Sequence, residues 1–488
     1  MKNSVSRRKF IRNTSAAAIG LTVVPSHTVS GLGHIPPSDK LNIAGIGIGG
    51  KGQHNLDNMV GQKIVALCDV DWNYAMPVFK KYPKAKRYKD FRVMFEKEKK
   101  IDAVVIATPD HTHYHSAKLA MELGKHVYVQ KPLTHAIWES RELARLAKEY
   151  KVATQMGTEG HSSDSVRKVT EILQAGVIGE IREVHTWTNR PIWPQGMDRF
   201  KEEPPVPETL DWDLFLGPAQ YRPYHPAYTP WSWRAWWDYG TGALGDMGCH
   251  VLDVPFYGME LGFPTAFSAS SSSCNIETAP WAARVDFHFP ERKLKNGSTM
   301  PAVKLTWHDG GLLPERPEEL PDGEVLGSWG GGNLFIGSKG KLVCANYGNN
   351  YKLLPLDKEW ESVPETLERV PDHELGGGRH EMDWVRACKE SAENRKEASS
   401  NFELAGPQTE MVLAGNLAIR LQHLNRRLDW DGKTMKIKNI GEDEKLNLIT
   451  ARPNYKNGKW TPYFHTETKE VNALEIANEW IKHTYREF

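Results

Sequence analysis

The run Gly47-Ile48-Gly49-Gly50-Lys51-Gly52 constrains this chain more than any other segment. It follows a short apolar run, Leu41–Ile46, and precedes another, Lys63–Cys68, which ends at Asp69. Glycine is required where backbone N–H groups must approach a pyrophosphate, because a side chain would block the approach. The spacing G-x-G-x-x-G is met by Gly47, Gly49 and Gly52, and also by Gly45, Gly47 and Gly50. The first frame is preferred because it leaves the strand intact through Ile46. A carboxylate about 20 residues further on accepts ribose hydroxyls and repels a 2′-phosphate, so Asp69 favours NAD over NADP. Asp71 is a second candidate for the ribose.

The segments that follow keep the same alternation. Ile101–Ala107, His126–Gln130 and Val152–Met156 read as buried strands. His115–Leu123, closed by Gly124, and Trp138–Tyr150 read as helices. Strands alternating with helices predict an α/β fold, a Rossmann doubly wound parallel sheet over residues 34–160. Beyond residue 160 the pattern changes. A helix over Ser165–Gln174 is followed by Pro-, Trp- and Tyr-rich loops over 189–239. Alternating strands then occur near 264–289 and 301–307, with helices near 379–393 and 405–426. This predicts an α+β second domain over 161–430. Residues 431–488 read as a charged C-terminal extension ending in a short helix, Val471–Thr484.

At 488 residues the chain has room for two or three cores. Its net charge of +1 offers no bulk attraction for nucleic acid or an anionic membrane. The five cysteines, at 68, 249, 274, 344 and 388, have neither disulfide-framework nor zinc spacing. Cys68 and Cys249 read as packed thiols. Tryptophan is abundant, at 17 residues, and several lie between Trp187 and Trp237. Indole faces stack on the apolar faces of sugar rings, which makes this segment, with Arg190 and Trp237, a candidate carbohydrate contact.

Two further segments carry chemistry. Gln130-Lys131-Pro132 ends the strand at 126–130, and Asp246 and His250 stand four apart on a predicted helix, so both side chains share a face. An amine and an Asp-His pair near a nucleotide loop suit proton removal from an alcohol as hydride leaves for a nicotinamide. The segment Asp110–His115 has alternate histidines, but no acidic or cysteine partner at an evident spacing, so no metal is expected.

Together, the glycine loop 47–52, Asp69, Thr108-Pro109-Asp110-His111-Thr112-His113, Gln130-Lys131-Pro132 and Asp246-x-x-x-His250 resemble the Gfo/Idh/MocA family of oxidoreductases, from about Lys40 to at least Gln422. The resemblance implies a nucleotide-binding domain followed by an open-faced mixed sheet that carries substrate. It implies that Lys131 and the Asp-His pair face the nicotinamide, that Thr108, Pro109, His113 and Gln130 lie beside the cofactor, and that Glu159 and His161 begin a substrate pocket. The implied mechanism has His250 taking the hydroxyl proton, Asp246 or a nearby group orienting or charging it, and Lys131 bonding the same oxygen. Gln130 departs from the usual Glu-Lys-Pro, which removes a negative charge near Lys131. The implied substrate is a sugar, glycoside or cyclitol. A redox-neutral NAD-dependent glycosidase and a non-catalytic binding protein are the alternatives. Retention of Lys131 favours the dehydrogenase. Pairing of open-faced sheets in the family implies a homo-oligomer.

Residues 1–33 stand apart. Ser6-Arg7-Arg8-Lys9-Phe10-Ile11, followed by an uncharged run from Thr14 to Val24, resembles a twin-arginine export signal. The run is too short to span a bilayer as a stable helix. A periplasmic location is therefore expected, with uncleaved membrane association as the variant case. Twin-arginine export carries folded proteins, and no pool of NAD is evident outside the cytoplasm. The cofactor is thus expected to be tightly bound, or reoxidised by a separate electron acceptor.

Overall fold

The structure, a computed structural model, describes residues 39–272, 275–456 and 459–487, and for 449–467 the strand path alone. The twin-arginine segment lies outside the described residues. Among the described residues no helix is long and apolar enough to cross a membrane.

The apolar runs of the N-terminal half form six parallel strands: β1 (Asn42–Ile46), β2 (Lys63–Cys68), β3 (Lys86–Tyr88), β4 (Ala103–Ile106), β5 (His126–Val129) and β6 (Thr154–Met156). Their order in the sheet is β3-β2-β1-β4-β5-β6. Helices cover both faces of such a sheet, so its central strands read as unbroken apolar runs rather than as alternation. Strand β4, Ala-Val-Val-Ile, is buried throughout. Helices α1 (Lys51–Asn58), α2 (His113–Glu122) and α3 (Ile137–Tyr150) lie in the connections. Helix α2 starts at His113 rather than His115 because a short 3-10 turn, Asp110–Thr112, runs directly into it. The strand order reverses between β1 and β4, and the crevice at their carboxyl ends is where such sheets bind nucleotides.

The second sheet has nine strands: β7 (Ile181–Thr188), β8 (Ala266–Ser271), β9 (Ala283–Phe289), β12 (Val303–His308), β13 (Gly331–Gly337), β14 (Lys341–Ala345), β15 (Lys352–Leu354), β16 (Leu428–Asp431) and β17 (Lys436–Ile437). A two-residue ladder, β10 (Arg292–Lys293) with β11 (Thr299–Met300), stands beside it. The sheet order is β15-β14-β13-β7-β12-β9-β8-β16-β17. Strands β7 and β12 run parallel and the other neighbouring strands antiparallel, so the sheet is mixed. Helix α4 (Gly242–Val251), which carries Asp246 and His250, crosses helix α5 (Phe402–Arg420). Their approach is close: a Cβ built on Gly415 would lie 2.5 Å from Leu244, and one on Gly248 3.0 Å from Val412. Helix α5 is buried on nearly every side, which fixes α4 between the two sheets.

The C-terminal region departs from the reading of a charged tail. Residue 431 is the last of β16, so the expected boundary cuts a strand. Residues 445–472 form an antiparallel pair, β18 (Lys445–Lys456) and β19 (Lys459–Asn472), before helix α6 (Ala473–Ile481). Leu446 and Leu448, two apart on β18, are buried, the period of a strand. Trp480 of α6 donates from Nε1 to the Leu413 carbonyl at 3.0 Å.

Most of the aromatic segment at 189–239 also has a packing role. Trp193, Trp212, Phe215, Tyr228, Trp236 and Tyr239 form a core of their own. Arg222 lies under the rings of Tyr228, Trp236 and Tyr239, at 5.4, 5.5 and 5.8 Å. Indoles sealed in this way offer no face to a sugar.

Candidate functional site: a nucleotide groove beside an aspartate–histidine helix and a lysine

Gly47 turns with φ +72°, and a Cβ on it would sit 2.7 Å from the Ala107 carbonyl carbon and the Thr108 nitrogen. Only glycine tolerates both conditions. A Cβ on Gly52 would lie 2.1 Å from the Gly47 carbonyl oxygen, so this position lets α1 pack on the loop. Gly49 and Gly50 lie under the Tyr74 ring. Asp69 is buried at the end of β2. Its Oδ2 accepts from the N–H groups of Ile48 (2.9 Å) and Gly49 (3.3 Å), and its Oδ1 from Asp71 (3.0 Å). Burial pushes its carboxyl up to about 6 against those bonds. Oδ2 is filled by its two N–H bonds, and Oδ1 keeps a lone pair for a hydroxyl.

Gly47, Gly49, Gly50, Asp69 and Tyr74 line one wall of a groove, together with Asp71, Thr108 and Pro109. The Thr108 hydroxyl is buried without a partner. The opposite wall comes from the second domain: Leu214, Phe215, Thr229, Pro230, Trp231, Trp233 and Arg234. A loop bare of side chains, a carboxylate and an unused hydroxyl facing apolar rings fit a dinucleotide. Gly47, Gly49, Gly50, Asp69 and Thr108 are the residues to hold it, and Gly52 stands behind the loop against α1.

Arg234 joins this groove to the chemical site. Its guanidinium stacks on Trp231 and Trp233, at 4.2 and 4.4 Å, and its Nε donates to Asp246 Oδ1 at 3.1 Å. Lys131 Nζ donates to the same oxygen at 2.9 Å and to the Asp246 carbonyl at 2.6 Å. Burial alone would raise the Asp246 carboxyl, but the charges of Lys131 and Arg234 outweigh it and hold the group well below the carboxylate range. Asp246 is therefore an ionised anchor for two cations. Toward His250 it acts through its charge, which raises the imidazole against burial and Lys131. His250 Nδ1 is hydrogen-bonded to the Tyr347 hydroxyl. Burial, then the Lys131 charge, pull the His250 imidazole down to about 3, so it is neutral at pH 7.

Gln130 faces a different group from the one expected. Its Nε2 donates to Asn55 Oδ1 at 2.8 Å, and Asn55 Nδ2 donates to Glu159 Oε1 (3.0 Å) and Glu381 Oε1 (2.8 Å). Lys51 Nζ pairs with Glu159 at 2.6 Å. Burial, then the Glu159 charge, push the Glu381 carboxyl up to about 7. A glutamate at 130 would put a third carboxylate against the Asn55 oxygen, so the amide here belongs to the Glu159–Glu381 pair. His54, Glu159 and Glu381 bring ligand atoms within 4.8 Å of one another, but Lys51 and Asn55 already hold the two carboxylates.

The remaining expected site residues scatter. His113 is buried, with Nδ1 2.9 Å from the Pro132 carbonyl and Nε2 2.9 Å from that of Thr108, so it ties together the loops after β4 and β5. Pro109 lines the nucleotide groove. His161 is sealed from solvent, its Nδ1 2.9 Å from Asp253 and its ring edge-on to Tyr257; it holds the fold together and offers nothing to a sugar. Trp237 is likewise closed in: its Nε1 donates to the Asn275 carbonyl at 3.2 Å, and Trp480 and Arg420 cover its ring. Arg190, on the loop after β7, bonds its neighbour Asn189. Glu159, by contrast, contributes to the field at His250, as does Lys51. Sequence reasoning missed Arg234 and Tyr347. Arg234 had a faint signal in Trp231-Ser-Trp-Arg234, a cation among indoles. Tyr347, 97 residues from His250, had none.

Residues 41–158 match the family described as an oxidoreductase family with an NAD-binding Rossmann fold. Residues 162–264 match the C-terminal alpha/beta domain of the same family. Levoglucosan dehydrogenase of Pseudarthrobacter phenanthrenivorans is 27% identical over 252 residues, which cover 51% of this chain and 52% of that protein. D-glucoside 3-dehydrogenase of Escherichia coli is 26% identical over 211 residues, covering 43% and 50%. The chain thus spans about half the length of these relatives. An NAD-binding oxidoreductase from Klebsiella pneumoniae shares the fold, with a TM-score of 0.53 at 20% identity over 80% of this chain and 99% of that one. Residues 41–158 and 162–264 thus match, in this order, the NAD-binding Rossmann domain and the C-terminal alpha/beta domain of the Gfo/Idh/MocA oxidoreductase family.

Proposed function

We propose that this protein oxidises a hydroxyl of a sugar, glycoside or cyclitol, with C3 of a glycoside the first position to test, and retains its NAD between turnovers. The observation that carries the reading is Arg234, which lines the nucleotide groove and bonds Asp246, the anchor of Lys131. The relatives named for levoglucosan and D-glucoside oxidation support the substrate class. NAD, when bound, supplies a nicotinamide that accepts hydride from the carbon bearing the hydroxyl. Lys131 spends two of its three N–H donors on Asp246 and keeps one for the reacting oxygen. Neutral His250 takes the hydroxyl proton. Retention of cofactor is supported by Thr229, Pro230, Trp231, Trp233 and Arg234, which form a second wall of the groove. Export through Arg7-Arg8, with transfer of electrons to a separate acceptor, is part of the same proposal.

The test begins with mass spectrometry of the purified protein for bound nucleotide, followed by a panel of sugars and glycosides. A keto sugar or net NADH is expected. Lys131→Met and His250→Ala should each lower turnover by about 10² or more, with bound nucleotide unchanged. Release of aglycone without net redox would replace this reading with redox-neutral glycoside cleavage. Wild-type turnover in both variants would remove the assigned site.

A further inference from the structure

Part of the second wall of the nucleotide groove rests on a helix too short to keep its place alone. Leu214 and Phe215 line the groove from Trp212–Leu216, a helix of five residues. So short a helix makes few internal hydrogen bonds, and its position is set by what holds its ends. At its start, the Asp211 side chain accepts from the Leu214 N–H at 3.1 Å. The Asp211 N–H donates to the Val70 carbonyl at 2.9 Å, next to Asp69. At its end the chain turns at Gly217, φ +50°. There the carbonyls are held from a distant segment. Arg486 donates from Nε to the Gly217 carbonyl at 2.7 Å and from Nη2 to the Asp213 carbonyl at 2.9 Å. Its Nη1 pairs with the Asp213 carboxylate at 2.7 Å, and its N–H donates to the Pro218 carbonyl at 3.1 Å. A cation at the carbonyl end of a helix is also favoured by the helix dipole.

The segment that carries Arg486 is itself fixed to the nucleotide-binding domain. The Tyr485 hydroxyl is hydrogen-bonded to the Glu139 carboxylate on α3, and its ring stands edge-on to His115 of α2 at 4.7 Å. The His483 ring is stacked on His135, which lies between β5 and α3, at 4.5 Å. We propose that Arg486 is a positioning residue for the cofactor: it ties the Leu214–Phe215 wall to the nucleotide-binding domain and so slows the release of NAD. This rests on the reading that NAD is retained between turnovers. The Asp213 carboxylate is 71% exposed, so the ion pair itself contributes little, and the bonds to the Asp213 and Gly217 carbonyls carry the effect.

Loading the full chain with labelled NAD and chasing with unlabelled NAD gives the release rate and needs no sugar. In Arg486→Ala the rate should rise about tenfold or more, since affinity differences within one site lie mostly in the off-rate. Leu214→Ala should raise it as well. The two together should raise it by less than the product of the single effects, because both act on one wall. Arg486→Lys keeps the charge but loses the fork, and should give a smaller rise in the same direction; it replaces Arg486→Ala if that variant does not fold. Hydrogen exchange with NAD in excess separates this role from a general loosening. In the Arg486 variant residues 210–220 should exchange faster while 42–68 keep the wild-type rate. A wild-type release rate in the Arg486 variant, effects that multiply in the double variant, or exchange rising equally over 42–68 would overturn the proposal. If no sugar is turned over, the oxidation reading fails, and the release rates still decide the role of Arg486.

Discussion

Replacing Asp246 by asparagine tests the electrostatic core of the site without knowledge of the substrate. Two cations converge on one oxygen, at 2.9 Å from Lys131 and 3.1 Å from Arg234. At an effective dielectric of about 20, each attraction has a gross size of about 5 kcal/mol before desolvation is counted. The three side chains are 14%, 15% and 19% exposed, so solvent screens part of it. Breaking a buried pair by removing one partner costs about 3–5 kcal/mol, and this exposure puts the expected loss near the lower end, about 3 kcal/mol. Urea unfolding followed by tryptophan fluorescence at pH 7 should show the midpoint falling by about 1 M for an m-value of about 3 kcal/mol/M. The pair Asp246→Asn and Lys131→Met should be less than additive by about 1–3 kcal/mol, because the second change removes a cation that the first left unpaired. The pH dependence has a definite sign. A carboxyl held below its unfolded value contributes fully above the unfolded pKa, near 4, and loses that contribution as pH falls through the folded value. The gap between wild type and variant should therefore be full at pH 7 and shrink below about pH 4. An unchanged midpoint at pH 7 would refute the assignment of Asp246 as anchor.

Asp69→Ala should weaken NAD binding and narrow the preference over NADP, and should also lower the melting temperature, since Asp69 caps the N–H groups of Ile48 and Gly49; an unaltered NAD dissociation constant removes the ribose role. Glu381→Gln should stabilise the protein by about 2 kcal/mol at pH 8 and not at pH 4, because a carboxyl raised to about 7 by burial and Glu159 loses stability as pH rises from its unfolded value near 4.5. Equal melting temperatures of variant and wild type at pH 8 would count against that pair. Changing both Arg7 and Arg8 to lysine should hold the precursor in the cytoplasm, read by fractionation and immunoblot; wild-type accumulation in the periplasm would exclude the twin-arginine route.

Local pattern carried a good part of this protein. The parallel sheet, the turn at Gly47–Gly52 and the carboxylate at Asp69 were legible because each depends on residues adjacent in the chain: period, apolar runs and glycine spacing. Lys131 and the Asp246–His250 helix were legible as a motif, although their wiring was not. The identity of the partners was set by contacts between distant segments: Arg234 and Lys131 on Asp246, Tyr347 on His250, Asn55 between Gln130 and Glu159. No periodicity encodes such pairs, because they arise only when two sheets and the helices between them are packed. The same packing decided the fate of the tryptophans. Composition offered the segment as a candidate sugar contact without separating its indoles, yet Trp193, Trp212, Trp236 and Trp237 are buried, while Trp231 is left half-exposed at the nucleotide groove. Burial is a property of the folded surface rather than of the residue, and so it was decided by the tertiary structure.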